Sequence, residues 1–351
     1  MKKLYFLPLL FLAFTGFAQK QFVVQNGTAQ TFSDINAAIA AANAGDTLYI
    51  PGGGFSVAAP VDKTLHWRGV GHYPDSTIAT GHTQITNTVT FTGNCDNSTF
   101  EGIFFQYGAN FGSAGNEATG IRIKYCRVDG TLNMRYNTDI SGGNPDLNFK
   151  ISESIITNIN AYLGTNVRME QNLIFGIAFN FFQCLFINNS FNVNNSSSVF
   201  RDCDFCQFTN NVFSYHHGMD GNCSNCNFTN NIFQAALPYN PTTSSHTGSG
   251  NLYSVGVPNT YVAITGYVYQ FSYENDYRLN PASTGTAEDG TTGVSIIGTG
   301  TDGFDAGIYG TTLPYKDGAV PYAPHIRTAT IDNEAVSGNL GVKITVAAQE
   351  R

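Results

Sequence analysis

The middle of the chain repeats one short pattern of apolar and polar positions. Cys184-Leu-Phe186-Ile-Asn188-Asn189-Ser-Phe191, Cys206-Gln-Phe208-Thr-Asn210-Asn211-Val-Phe213 and Cys226-Asn-Phe228-Thr-Asn230-Asn231-Ile-Phe233 match position for position and are almost evenly spaced. Weaker copies lie at Ile121–Val128, Phe149–Ile156 and Val167–Ile174, and Ser98–Phe105 is a further candidate. Each copy alternates apolar and polar residues and then reaches a polar pair, which predicts a short strand followed by a turn.

A period of roughly 20 residues with strand–turn character predicts a solenoid. One coil cannot bury its own apolar side, but stacked coils can. Equivalent positions then lie one strand spacing, about 4.8 Å, apart. The phenylalanines form an interior stack, and the asparagines at the turn form ladders of side-chain amides. Roughly eight to ten coils give a rod about 40 to 50 Å long.

The ends read differently. Residues 32–46 predict a short helix with Ser33 as its N-cap and Gly45 as its stop, followed by the strand Thr47–Ile50 and the turn Pro51–Gly54. Such a helix covers the first coil, which would otherwise be an open edge. The Thr/Ser/Gly segment 240–250 reads as a surface loop. Residues 276–310 read as a run-out, and His325–Ile331 and Leu340–Val346 as two strands of a small appendage.

The capping segment, with its Ala-Gly-Asp-Thr-Leu-Tyr-Ile-Pro-Gly run, and the Phe-x-Asn-Asn-x-Phe coils resemble the right-handed parallel β-helix proteins of the pectate-lyase-like superfamily. The resemblance covers about residues 27–310. It implies an all-β, right-handed parallel β-helix with an N-terminal capping helix and a small C-terminal β segment. It leaves function open, because that superfamily holds lyases, hydrolases, epimerases, adhesins and binding proteins. Its catalytic motifs are incomplete here. Asn137-Thr138-Asp139 equals the first polygalacturonase motif, but the paired-aspartate and Gly-His-Gly motifs do not follow. Arg122-Ile-Lys124 resembles their Arg-x-Lys motif in the wrong order, and no Arg-x-Pro-x-x-Arg of the pectate lyases occurs.

The N-terminus adds a compartment. Met-Lys-Lys, the apolar run Leu4–Phe14 and Gly16-Phe17-Ala18 have the form of a signal peptide over residues 1–18. The expected division is then a β-helix domain over 19–314 and an appendage over 315–351. No later stretch reaches about 18 apolar residues, so no membrane span is expected. Secretion, the periplasm or the cell surface is the expected destination, and a monomer the expected state. The formal net charge of −8 and pI near 5.3 disfavour nucleic acid as a partner.

Against that acidic balance, aligned coils place Arg122, Lys150 and Arg168 in one outward column, with Lys124 close by. Stacked like charges repel. Such a column fits the carboxylates or sulfates of an acidic polysaccharide. Lys150 or Arg168 could also supply the base of a β-elimination, the chemistry the resemblance implies. The plainer reading is a solvated face neutralised by Glu153, Glu170 and Asp129. The alternative for the whole protein is a non-catalytic structural or adhesive β-helix at the cell surface.

Further candidates are fainter. His216, His217 and Asp220 follow a repeat strand and suit a metal, acid–base work or an ordinary polar turn. Asp202 and Asp204 share a direction if extended, which suits Ca²⁺, acid–base work or a surface turn. Cys203, Cys206, Cys223 and Cys226 have the spacing of a zinc site, but the coil period alone produces the same spacing. Stacking puts Cys203 over Cys223 and Cys206 over Cys226, with Cys184 continuing the second column. A reduced ladder, one or two disulfides, and zinc all remain open. The single Trp67 reads as packing near the capped end or as a sugar platform. Thr86, Thr88, Thr90 and Thr92 read as one face of a strand.

Overall fold

The computed structural model describes residues 21–58, 60–112, 116–135, 143–194, 199–215, 222–238, 244–256, 260–317, 325–332 and 339–347. The repeats stack into a parallel β-solenoid of about nine turns. Its first face runs from Asp46–Tyr49 through Leu65–Arg68, Thr99–Glu101, Arg122–Lys124, Lys150–Ser152, Arg168–Glu170, Leu185–Ile187, Gln207–Thr209 and Asn227–Thr229 to Thr247–Ser249. Its second face runs from Gly53–Phe55 to Leu252–Tyr253. A shorter third face joins Val89–Phe91 and Ala109–Phe111 to the far halves of Arg127–Asn133 and Ile155–Gly164, then to Ala178–Phe181 and Phe200–Arg201.

Strand alternation sends every second side chain inward. On the first face the inward column is Leu48, Trp67, Phe100, Ile123, Ile151, Met169, Phe186, Phe208 and Phe228, all buried. The rings of Phe186, Phe208 and Phe228 stack at 4.9 and 4.8 Å, and those of Phe191, Phe213 and Phe233 at 4.9 and 4.7 Å. These separations are the rung spacing itself, so register and ring stacking support each other. Trp67 belongs to this core, edge-on to Phe91.

The polar pair makes the corner between the first and second faces. Its first member takes a left-handed backbone: Glu153, Gln171, Asn188, Asn210 and Asn230 have φ of 49°, 54°, 54°, 56° and 53°. Asparagine tolerates that region better than most residues, which accounts for its place in the repeat. The second member turns inward. The amide nitrogen of Asn189 donates to the Met169 carbonyl at 2.9 Å and to Asn211 Oδ1 at 3.0 Å. Its oxygen accepts from the Asn172 backbone N–H and side-chain amide. Asn211 and Asn231 repeat the arrangement, and Asn251 ends it on Glu288 at 2.9 Å. These buried amides are fully satisfied, as burial demands.

The ends depart from the sequence expectations. The helix is Ile35–Ala41, and its N-cap is Asp34 rather than Ser33. Asp34 has the extended backbone of a cap, and its carboxylate accepts the Ala37 N–H at 2.9 Å. An antiparallel hairpin, Phe22–Asn26 with Thr28–Phe32, also closes the first face by pairing with Asp46–Tyr49. The segment 240–250 is not only a loop, because Thr247–Ser249 pairs in register with Asn227–Thr229 as a last rung. The strands of the appendage pair with each other as His325–Ile331 and Val342–Ala347.

Residues 261–315 are more than a run-out. The outward residues Ile155, Leu173, Val212, Ile232 and Leu252 of the second face are buried under Tyr261, Tyr277, Ile296, Ile308 and Tyr315. Tyr273 pins this outer layer to early coils: its hydroxyl donates to the His72 carbonyl at 2.9 Å and accepts from Arg127 at 3.0 Å.

Asn211→Ala should strand the Asn189 backbone N–H and one hydrogen of its side-chain amide. Each buried orphan costs about 1–3 kcal/mol, so the urea midpoint should fall by an amount worth about 3 kcal/mol or more. Thr209→Ala, on the outer side of the same rung, should stay within about 0.5 kcal/mol.

Candidate functional site

In-register pairing sets Arg122 opposite Lys150, and Lys150 opposite Arg168. Each flanks an inward core residue, so each points outward. Two positions along the same strands, Lys124, Ser152 and Glu170 form a second outward column. Thr99 precedes the cations in their column and Leu185 follows them. The charged stretch is therefore three rungs long, about 10 Å from first to last.

Glutamates interleave with it. Lys150 Nζ lies 2.6 Å from Glu170, Arg168 bonds the same carboxylate, and Lys124 lies 3.0 Å from Glu153. Burial opposes ionisation of Glu170, but hydrogen bonds from Lys150 and Arg168 outweigh it and hold its carboxyl below the ordinary range. Asp129 does not join this group. It pairs at 2.7 Å with Arg127 on the second face. Among the described residues Arg122 has no carboxylate partner, and it is exposed.

A second wall comes from far along the chain. The strap Thr312–Lys316 runs beside the column, held by the left-handed corner residues. Gln171 Nε2 reaches the Leu313 carbonyl at 2.7 Å, the Ile308 carbonyl at 3.2 Å and Thr311 Oγ1 at 3.2 Å. Asn210 binds Thr301 through both ends of its amide, at 3.0 and 3.1 Å. Between strap and face lies a cavity of about 660 Å³, lined by Arg122, Lys124, Lys150, Ser152, Glu153, Glu170, Gln171, Thr312, Leu313, Pro314 and Lys316. Four cations face two carboxylates there, on a chain whose overall charge is −8. The arrangement can receive an anionic group at Arg122 and neutralise it with neighbouring ammonium groups.

The remaining candidates lie elsewhere. His216, His217 and Asp220 fall outside the described residues. Asp202 has a left-handed backbone, φ 52°, so the chain from Asp202 to Asp204 is not extended and the shared direction is lost. Asp204 accepts both the backbone N–H and the hydroxyl of Ser224 at 2.7 Å, and Asp202 accepts from Asn222 at 2.8 Å. Both carboxylates tie one coil to the next. Among the described residues no group of three or more His, Cys, Asp or Glu side chains is placed to hold a metal ion. Cys184, Cys203, Cys206, Cys223 and Cys226 are buried thiols in the two expected columns. The four threonines do not share one strand: Val89–Phe91 holds only Thr90, while Thr86 and Thr88 bond the Phe55 and Tyr107 carbonyls.

Sequence reasoning missed Gln171, Thr312–Pro314 and Lys316. Gln171 carries a signal, since it occupies the corner position of the repeat, but nothing local tells that its side chain holds the strap. No helix among the described residues is long and apolar enough to cross a membrane. No protein-family model matches the chain, and no curated protein matches it significantly.

Gln171→Ala should loosen the strap. Amide exchange at Tyr315, whose N–H bonds the Ile308 carbonyl, should quicken about tenfold, the equivalent of about 1.4 kcal/mol of local stability. Glu170 also gives a pH test. Its pKa is lowered in the folded state, so its contribution is complete above the ordinary glutamate pKa of about 4.3 and is lost as pH falls through its lowered value. Glu170→Gln should therefore unfold more easily than the parent near neutral pH, and the two should converge in acid.

Proposed function

We propose that this protein binds an acidic saccharide in the groove between the first face and the strap, with Arg122 as the primary anion ligand. The observation that carries the reading is the Arg122 guanidinium, without a carboxylate partner among the described residues, in a cavity it shares with Lys124, Lys150 and Lys316. A guanidinium forks onto a carboxylate or sulfate, and lysines add charge without fixing direction. The three-rung length suits a short stretch or terminus of an acidic glycan. The leader-like N-terminus supports an exported protein that meets such glycans outside the cytoplasm. The parallel coils, the helix beside the first turn and the Phe-x-Asn-Asn repeat support membership of the pectate-lyase-like superfamily as part of this proposal.

Binding is favoured over β-elimination by the pairing of Lys150. A general base must offer a free lone pair to the proton it takes. Lys150 Nζ is engaged by Glu170 at 2.6 Å, which suits a charge-neutralising role.

Titration calorimetry with uronate and sulfated oligosaccharides tests the proposal. Wild-type protein should bind one class, more weakly as salt rises. Arg122→Ala should weaken binding about tenfold to a hundredfold, the worth of one charge-assisted hydrogen-bonded contact of about 1.5–3 kcal/mol. Lys150→Ala combined with Arg168→Ala should weaken it further with the fold intact. Undiminished binding by Arg122→Ala would sink the site, and no binding to any of these glycans would sink the function.

A further inference from the structure

The last coils carry five thiols that the groove does not use. Parallel register stacks Cys184, Cys206 and Cys226 in one column that ends on His246, and sets Cys203 over Cys223 in another. A rung spacing of about 4.8 Å lies within the Cα separation that a disulfide spans. The Cys206 thiol is flanked in its column by those of Cys184 and Cys226. The Cys226 backbone N–H donates to His246 Nδ1 at 3.1 Å, which places that imidazole directly beneath it.

The two stacked sulfurs are unequal. Burial first, and neighbouring thiols second, push the Cys206 thiol well up. The hydrogen bond from Cys206, against burial and aided by His246, brings the Cys226 thiol down to about 6. Cys226 is buried, but His246 and the strand Thr247–Ser249 form the last rung of the first face, and all three residues of that strand are exposed. Fraying of this edge strand uncovers Cys226 before any other thiol of its column.

We propose that Cys226 is a site of thiol–disulfide exchange, with Cys206 as its resolving thiol. The Cys226 thiolate attacks a small disulfide, forms a mixed disulfide and expels one thiolate. Cys206 then attacks the Cys226 sulfur and expels the second thiolate, which leaves with the Cys206 proton. Two cysteine thiols are oxidised to one S–S bond while the small disulfide is reduced to two thiols. The new bond staples the coils that carry Gln207–Thr209 and Asn227–Thr229.

The test incubates the folded, full-length protein with oxidised glutathione, then counts thiols after denaturation and maps the bond. No Lys or Arg lies between Arg201 and Arg278, so chymotrypsin, cutting at Phe208 and Phe213, separates the two cysteines where trypsin does not. Two of the seven thiols should disappear together, as Cys206–Cys226. Cys206→Ser should instead keep a glutathione adduct on Cys226, and Cys226→Ser should keep all its thiols. Retention of all seven thiols by the wild type, or a bond between Cys203 and Cys223 in place of Cys206–Cys226, would overturn the assignment. The wild-type map decides the matter even where a serine variant does not fold, and it is independent of saccharide binding.

Discussion

A buried asparagine amide has two hydrogens and two lone-pair directions to place, and from Asn189 to Asn231 all of them go to adjacent coils. A slip of one residue between coils would orphan these groups and turn every phenylalanine of the rung outward. Register is therefore fixed twice, by amides that have no other partner and by rings that stack at the same spacing. Fixed register is what turns sequence positions into columns. Cations, thiols and corner residues acquire neighbours because the amides leave the coils no alternative alignment.

That logic explains what the sequence made legible. The near-constant spacing of the asparagine pairs was enough to predict coils, an inward phenylalanine stack and the Arg122–Lys150–Arg168 column, because each follows from strand alternation and register alone. The last rung was equally readable in principle. His246 to Asn251 lies one coil period after Cys226 to Asn231, but a glycine stands where the phenylalanine should be, and the apolar signal disappears. The outer layer also left a trace. Val212-Phe213 and Ile232-Phe233 are apolar on both sides of the strand, the mark of a sheet covered on both faces. What covers it lies in residues 261–315, which have no repeat and no periodicity to read.

The groove shows the same division. Its floor is periodic and was visible; its wall is not. The sequence marks the glutamates as neutralisers, but which cation each one takes depends on side-chain reach between columns. Glu170 draws in Lys150 and Arg168, Glu153 draws in Lys124, and Asp129 is claimed by Arg127 on another face. Arg122 is left over by this competition, and composition cannot reveal a remainder. In the proposed function, that remainder is the functional residue.

The strap also sets an order of events. Ribosomal synthesis delivers the cation column early and Thr312–Lys316 late, after the coils that carry Gln171, Asn188 and Asn210 have stacked. Closing so long a loop costs little more than closing a short one, because the entropy grows only with the logarithm of length. Until the strap docks, the cations lie on an open, well-hydrated face where their field is weak. The enclosed groove comes into being only once Thr312–Lys316 has been made and docked, so a molecule that lacks the strap has the charges without the cavity.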